Sequence, residues 1–320
     1  MRAAVDQQRM DRVSTGILCG HAGGDFNPTR PPASGIDSAA LDQRIALLEA
    51  RALLTDRGDG RAVIHPSLRY TIDGLARLLP ARLQLEVTDR VASTNARGRT
   101  ATGPSPPRLG IIVAREQAGG RGRYDRVWHS PRGGIWTSVV DLNERQPTAS
   151  WHDQLAMSVA TTDVAAALGL DARLKWPNDV VGPDGGKLAG VLVEATTAGG
   201  RIERTVVGVG LNANIDPAVL PAGATSLMAH LGVVSLAPVA GYLLTSFLHR
   251  RQRPAATIDA WRRASHTLGR EVVVSTPQGD LTGIATDIDA NGSLRLETDD
   301  TAHTISPDRC RRLRYTDVTV

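Results

Sequence analysis

The stretch Lys175–Glu194, KWPNDVVGPDGGKLAGVLVE, decides how this chain folds and where its chemistry sits. Arg173-Leu174-Lys175-Trp176 reads as a short strand that Pro177 ends, since proline brings no amide to a ladder. Asn178-Asp179 leads into Val180-Val181, and Gly182-Pro183-Asp184-Gly185-Gly186 is a turn. Lys187 to Glu194 returns as a strand, so Lys175 and Lys187 flank a hairpin-like excursion. They are the only lysines in the chain: of 37 Lys and Arg together, all the others are arginine. A compact ammonium kept twice in so short a window, against an arginine background, marks one site. Gly182 to Lys187 is not a P-loop, being one residue short and carrying Leu188 where a Mg-binding Ser or Thr belongs.

Upstream of the hairpin, LQLEVTDRVASTNAR alternates as a strand and delivers Ser93-Thr94-Asn95, three small polar residues that also suit a helix N-cap. Gly98 to Arg108, with three prolines, reads as a loop. Leu109 to Glu116 is a buried strand leading to Gln117 and the run Ala118-Gly119-Gly120-Arg121-Gly122-Arg123-Tyr124-Asp125-Arg126-Val127-Trp128. Its glycines let backbone amides approach a ligand, and its arginines suit phosphate or carboxylate. A single RGR between strands favours a ligand loop over a low-complexity RG segment of the kind that binds nucleic acid. Ile135 to Leu142 is a strand and Ser150 to Leu168 the longest helix.

Downstream, Arg201 to Gly208 is a strand running into GVGLNA at 208–213. That nominally fits a dinucleotide fingerprint, but irregular sequence follows where a helix should open, so the Rossmann reading is rejected. Asn212 is left as an amide contact at a strand end. Helices are expected around 237–251 and 255–265. From Gly269 about five short strands with PQGD and ANG turns predict a small antiparallel barrel.

At 320 residues, with 41% hydrophobic and 22% charged content, the chain has room for two folded units. Its net charge of +4 is too modest to imply nucleic acid by itself. Cys19 and Cys310 form no motif, and no apolar run of signal-peptide or membrane-spanning length is found, which makes the expected compartment the cytoplasm. The expected organisation is a disordered leader over 1–36, a helical extension over 37–66 with Leu41, Ile45, Leu48 and Leu53 on one face, a main domain over 67–266 opened by an amphipathic helix from Ser67 to Leu79, and the barrel over 267–320.

STN at 93–95, Q-x-G-G-R-G-R-x-x-R-x-W at 117–128, KWPND at 175–179, GKLAG at 186–190 and GVGLN at 208–212 together resemble the biotin–protein ligases, in order and spacing, over about residues 67–315. The resemblance implies an α+β fold of the class II aminoacyl-tRNA synthetase and biotin ligase type, a mixed and mainly antiparallel sheet with helices, plus a C-terminal SH3-like barrel. It implies a monofunctional enzyme that activates biotin with ATP and Mg²⁺ to biotinyl-5′-AMP, then modifies a lysine of a carboxylase biotin carrier domain. Lys187, Arg123 and Arg121 would be catalytic. Ser93, Thr94, Asn95, Gln117, Gly120, Arg121, Gly122, Arg123 and Lys187 would bind biotin, and Arg123, Arg126, Trp128, Asn178, Lys187 and Asn212 would bind ATP. Lys175 and Asp179 would be further contacts or strand-end supports. The resemblance assigns no set of metal ligands.

The chemistry fits these residue types: a carboxylate must attack a phosphate, so two anions have to meet, and cations from a loop and a facing lysine lower that barrier. Three departures stand out. Gly119 replaces the usual Ala, and Asp125 replaces a Gly, putting an acid where it can pair with Arg123 or Arg126 and weaken anion binding, or help ligate Mg²⁺. The helix that commonly follows STN is replaced by GRTATGPSPPR. A lipoate or octanoate ligase is the alternative. A biotin-sensing DNA-binding regulator, as in relatives with a winged helix-turn-helix, would need three helices and a wing, and only one helix is read before Pro66.

Overall fold

The computed structural model describes residues 54–56, 62–64, 79, 83–101 and 109–316. The leader, the helical extension and the helix expected from Ser67 to Leu79 fall largely outside these. Within them, β1 (Leu54–Asp56) pairs antiparallel with β2 (Ala62–Ile64), inside the stretch that the sequence reads as a helical extension.

A seven-stranded sheet is the frame of the molecule. Its strands are β3 (Gln84–Val91), β4 (Leu109–Gln117), β5 (Ile135–Asp141), β6 (Arg173–Lys175), β7 (Asp179–Val181), β8 (Lys187–Ala198) and β9 (Arg201–Leu211), in the spatial order β3-β4-β5-β9-β8-β7-β6. Only β3 and β4 run parallel, joined through α1 (Thr94–Thr100); every other pair is antiparallel. The mixed, mainly antiparallel sheet is therefore as expected, and β6-β7-β8 form the predicted hairpin. Strand periodicity of two separates the faces. Val139, Val207 and Val209 join the main core, whereas Val140 and Val206 pack with Ile112 in a small second cluster.

α1 corrects the sequence reading, which placed a loop from Gly98 and no helix after STN. Ser93 caps it, its Oγ accepting from the Ala96 amide, and Gly98 permits the packing, since a Cβ there would lie 2.9 Å from Val140 and Val206 methyls. α2 (Ala149–Ala167) lies against β8 and β9 and packs with α4 (Leu236–Arg250) and α5 (Pro254–Ala264). A short α3 (Leu227–Leu231), capped by Ser226, was not anticipated.

The second sheet consists of β10 (Glu271–Thr276), β11 (Gly279–Ile288), β12 (Leu294–Glu297), β13 (Ala302–Ile305) and β14 (Arg312–Tyr315), all antiparallel, in the order β13-β12-β11-β10-β14. It is the small C-terminal β unit that the turns predicted. Trp176, almost wholly buried, ties it to the main sheet: its backbone amide donates to Thr267 Oγ1 at 3.0 Å and its indole N–H to the Gly292 carbonyl at 2.9 Å. Among the described residues no helix is long and apolar enough to cross a membrane.

Candidate active site

The floor of the site is written in the alternation of β8 and β9. Gly190 pairs with Gly210 and Leu192 with Gly208, so these residues share the face of the sheet that carries α1. A Cβ on Gly208 would sit 2.0 Å from Asn95 Oδ1, and one on Gly210 would sit 2.5 Å from Trp128 Nε1. The missing side chains thus let Asn95 and Trp128 lie against the sheet, where they line a cleft of about 290 Å³. Its walls are the STN turn, Gln117, the arginine loop, the β6-β7 turn, Lys187, and the segment Cys310–Leu313 that leads into β14.

At one end lies a network of hydrogen bonds. The Thr94 amide donates to Gln117 Oε1 at 2.8 Å, and Thr94 Oγ1 lies 3.1 Å from the same oxygen. Gln117 Nε2 donates to Ser130 Oγ, which in turn donates to the Trp128 carbonyl. Ser138 Oγ is 2.7 Å from both Thr94 Oγ1 and Asn95 Oδ1. Thr94, Asn95 and Ser138 are buried, and their polar atoms are satisfied, as burial requires: the hydroxyls and Asn95 Oδ1 within this group, Asn95 Nδ2 by the Leu192 carbonyl and Glu194.

At the other end are the cations. Lys187 Nζ pairs with Asp179 Oδ1 at 2.7 Å and lies 4.9 Å from the centre of the Trp128 ring. Trp128 Nε1 is buried without a hydrogen-bond partner, which leaves a donor for a ligand acceptor to satisfy. Lys175 stands 4.8 Å from the centre of the Tyr315 ring. Burial pulls its ammonium below the ordinary lysine value; Asp179 opposes that, while Lys187, Arg312 and Arg270 add to it.

The arginine loop does not face this centre with all its charges free. Arg121 pairs with Asp125, where the sequence reading paired Asp125 with Arg123 or Arg126. Arg123 donates to the carbonyls of Pro307 and Cys310, Tyr124 Oη to that of Asp308 at 2.6 Å, and Arg126 to that of Arg311. Tyr124 and Asp125 both take left-handed backbone, at φ 56° and 55°. Burial pushes the Cys310 thiol up to about 11, which keeps it protonated and unreactive at neutral pH.

Most of the residues singled out in the sequence therefore meet in one cavity: Ser93, Thr94, Asn95, Gln117, Arg121, Gly122, Arg123, Arg126, Trp128, Lys175, Asn178, Asp179 and Lys187 all line it. Gly120 lies just behind, where a Cβ would meet the Trp128 carbonyl at 2.4 Å. Asn178 also donates to the Val191 carbonyl. Asn212 is not in the lining. It is buried, and its amide holds the carbonyls of Lys187 and Thr225, fixing the strand on which Lys187 is carried. Among the described residues no three His, Cys, Asp or Glu side chains gather as metal ligands. Sequence reading missed Ser130, Ser138 and Glu194. A serine inside the wholly buried strand IWTSVVD was the available signal for Ser138.

Residues 87–212 match the Biotin/lipoate A/B protein ligase family, and residues 267–306 the Biotin protein ligase C terminal domain. The chain is 36% identical over 234 residues to a biotin--[acetyl-CoA-carboxylase] ligase of Mycobacterium tuberculosis, covering 67% of this chain and 83% of that relative. It is 31% identical over 223 residues to a bifunctional ligase/repressor BirA of Bacillus spizizenii, covering 66% and 68%. Among solved structures, a biotin protein ligase from Aquifex aeolicus in complex with biotin and ATP has the same fold, with a TM-score of 0.58 at 24% identity over 73% of this chain and 99% of that one.

Proposed function

Since the chain belongs to the biotin protein ligase family, and so is a ligase enzyme, we propose that its cleft joins biotin to AMP and passes the biotinyl group to a lysine of a carboxylase biotin carrier domain. The observation that carries this reading is the cleft itself, lined by the hydrogen-bonded pair Thr94 and Gln117 and by Lys187 and the arginine loop. The uncharged end suits the ureido N–H groups of biotin. The cationic end suits a carboxylate meeting a triphosphate.

In the first step a biotin carboxylate oxygen bonds to the α-phosphorus of ATP, the α–β phosphoanhydride breaks, and pyrophosphate leaves. Lys187 moderates the repulsion between the two anions, and Arg121, Arg123 and Arg126 take up the charge shed onto the leaving phosphates. Trp128 offers its unpartnered indole N–H and Asn178 its amide to the nucleotide. Mg²⁺ would arrive with the nucleotide, held chiefly by its phosphates. In the second step the acceptor amine attacks the acyl carbon, AMP departs with the bonding electrons, and the amine loses a proton. A loop closed over the cleft keeps water from the mixed anhydride between the two steps. The cytoplasm, where ATP and carboxylase carriers meet, is the compartment this reading implies.

The test is pyrophosphate release dependent on biotin, with the carrier domain's mass measured afterwards. Lys187→Ala is expected to lower release by about a hundredfold to a thousandfold with the fold intact. Release at the wild-type rate removes Lys187 from the chemistry, and release driven by lipoate in place of biotin removes the substrate assignment.

A further inference from the structure

Glu194 stands on β8 outside the cleft lining, with its two oxygens committed differently. Oε1 pairs with Arg99 at 2.6 Å, and Oε2 accepts from Asn95 Nδ2 at 2.8 Å. The Leu192 carbonyl also accepts from Asn95 Nδ2, at 3.2 Å. Both partners of that nitrogen can only accept, so the Asn95 amide has one orientation, with Oδ1 turned to Ser138. Gly208 leaves room for that oxygen.

The consequence follows from counting protons. Ser138 Oγ has one, and Asn95 Oδ1 can only accept it. The 2.7 Å contact between Ser138 and Thr94 must then be made by the Thr94 proton. That leaves the longer 3.1 Å approach of Thr94 Oγ1 to Gln117 Oε1 without a proton of its own. Gln117 is fixed independently: Ser130 uses its proton on the Trp128 carbonyl, so it accepts from Gln117 Nε2, which leaves Oε1 on the side of Thr94, accepting from the Thr94 amide with a lone pair to spare. Thr94 and Gln117 therefore present a pair of acceptors side by side, and a cyclic urea supplies the N–H donors such a pair needs.

We infer that Glu194 is a positioning residue for biotin, acting through Asn95 and Ser138 to hold Thr94 as an acceptor. The inference rests on the reading of the substrate given above. Replacing Glu194 by Gln puts a donor where a carboxylate stood and lets the Asn95 amide invert. Ser138 then accepts from Asn95 and donates to Thr94, and the Thr94 proton turns to Gln117 Oε1, in competition with the ligand. Ser138→Ala reaches the same end state by removing the acceptor of the Thr94 proton.

The experiment is steady-state pyrophosphate release by the full chain and its variants, with biotin and ATP varied separately. Glu194→Gln is expected to raise the KM for biotin roughly tenfold, the worth of about one hydrogen bond, with kcat and the KM for ATP within about twofold. Ser138→Ala is expected to do the same, and the double variant to be no worse than either single one, because both act on one proton. An unchanged KM for biotin, a parallel rise in the KM for ATP, or fully additive single effects overturns the assignment. A wild-type chain that releases no pyrophosphate with biotin overturns the substrate reading, and this inference with it.

Discussion

Trp128 concentrates the energetics of the site in one side chain. Its indole lies over Gly210 and beside Gly190, carries the Lys187 ammonium near its face, and buries an N–H with no partner in the protein. A buried donor without a partner is costly, and an acceptor on a bound nucleotide would recover that loss. The two glycines are therefore steric requirements: Gly210 is absent from the positions with left-handed backbone, so nothing in its own conformation resists alanine. Gly210→Ala would place a methyl 2.5 Å from Nε1 and 2.7 Å from Cε2 of Trp128, forcing the ring out of its slot. The expected loss of stability is about 1–3 kcal/mol, as for an overpacked core. If the ring meets the nucleotide as proposed above, the KM for ATP rises about tenfold when it is forced from that slot. Denaturant melts read the first effect and initial rates the second; an unaltered KM for ATP would detach Trp128 from the nucleotide.

At the scale of elements, the end of β5 remote from the cleft is clamped to the helices by charge. Arg251 pairs with Asp141 at 2.6 Å and Asp153 at 3.1 Å, and Arg145 contacts the same two carboxylates. Asp153 is fully buried and Asp141 nearly so. Burial would push the Asp141 carboxyl up, but the Arg251 charge and hydrogen bonds from Asn143 and Arg251 outweigh it and hold it below its ordinary value of 3.8. The unfolded chain thus takes up that proton first, so the clamp's contribution is complete above the ordinary carboxylate range and is lost as pH falls through the lowered native value. Arg251→Met strands two buried acids on Arg145 alone. It is expected to cost on the order of 3 kcal/mol near neutral pH and to move acid unfolding to higher pH; urea titrations at several pH values check both. None of this clamp was legible in the sequence, because aspartates in a strand and in a helix reveal nothing of their meeting. The β6-β7-β8 hairpin was legible, since Pro177 and the Gly182–Gly186 turn leave the chain few other courses. α1 was not: Gly98 and Thr100 weaken helix propensity, and the helix is held by the Ser93 cap and by packing of Gly98 on Val140 and Val206.

For the whole molecule, the decisive contact joins the arginine loop to the C-terminal sheet, and it too escaped sequence reading, because the groups that receive the loop are backbone carbonyls, common to every residue. The motifs gave the loop's cations and the lysine across from them; only the folded chain shows Arg123, Tyr124 and Arg126 donating to the carbonyls of residues 307–311. Tyr124 accepts left-handed backbone to make this reach, an arrangement a bulky residue adopts only when its surroundings hold it there. The Tyr124 phenol has one proton, and the Asp308 carbonyl at 2.6 Å is closer to it than the Cys310 carbonyl at 3.0 Å. Tyr124→Phe removes that bond while keeping the ring over which Arg123 and Arg126 lie. Its loss, about 1 kcal/mol, is expected to raise the open population of the loop, and with it amide exchange over residues 119–127, about fivefold. Were the loop the cover that keeps water from the activated acyl group, the same variant would hydrolyse biotinyl-5′-AMP faster without slowing its formation. Exchange mass spectrometry together with AMP release in the absence of a carrier measures the two together. Faster exchange with no change in AMP release would mean that the loop's contact with the second sheet orders the protein but does not guard the intermediate.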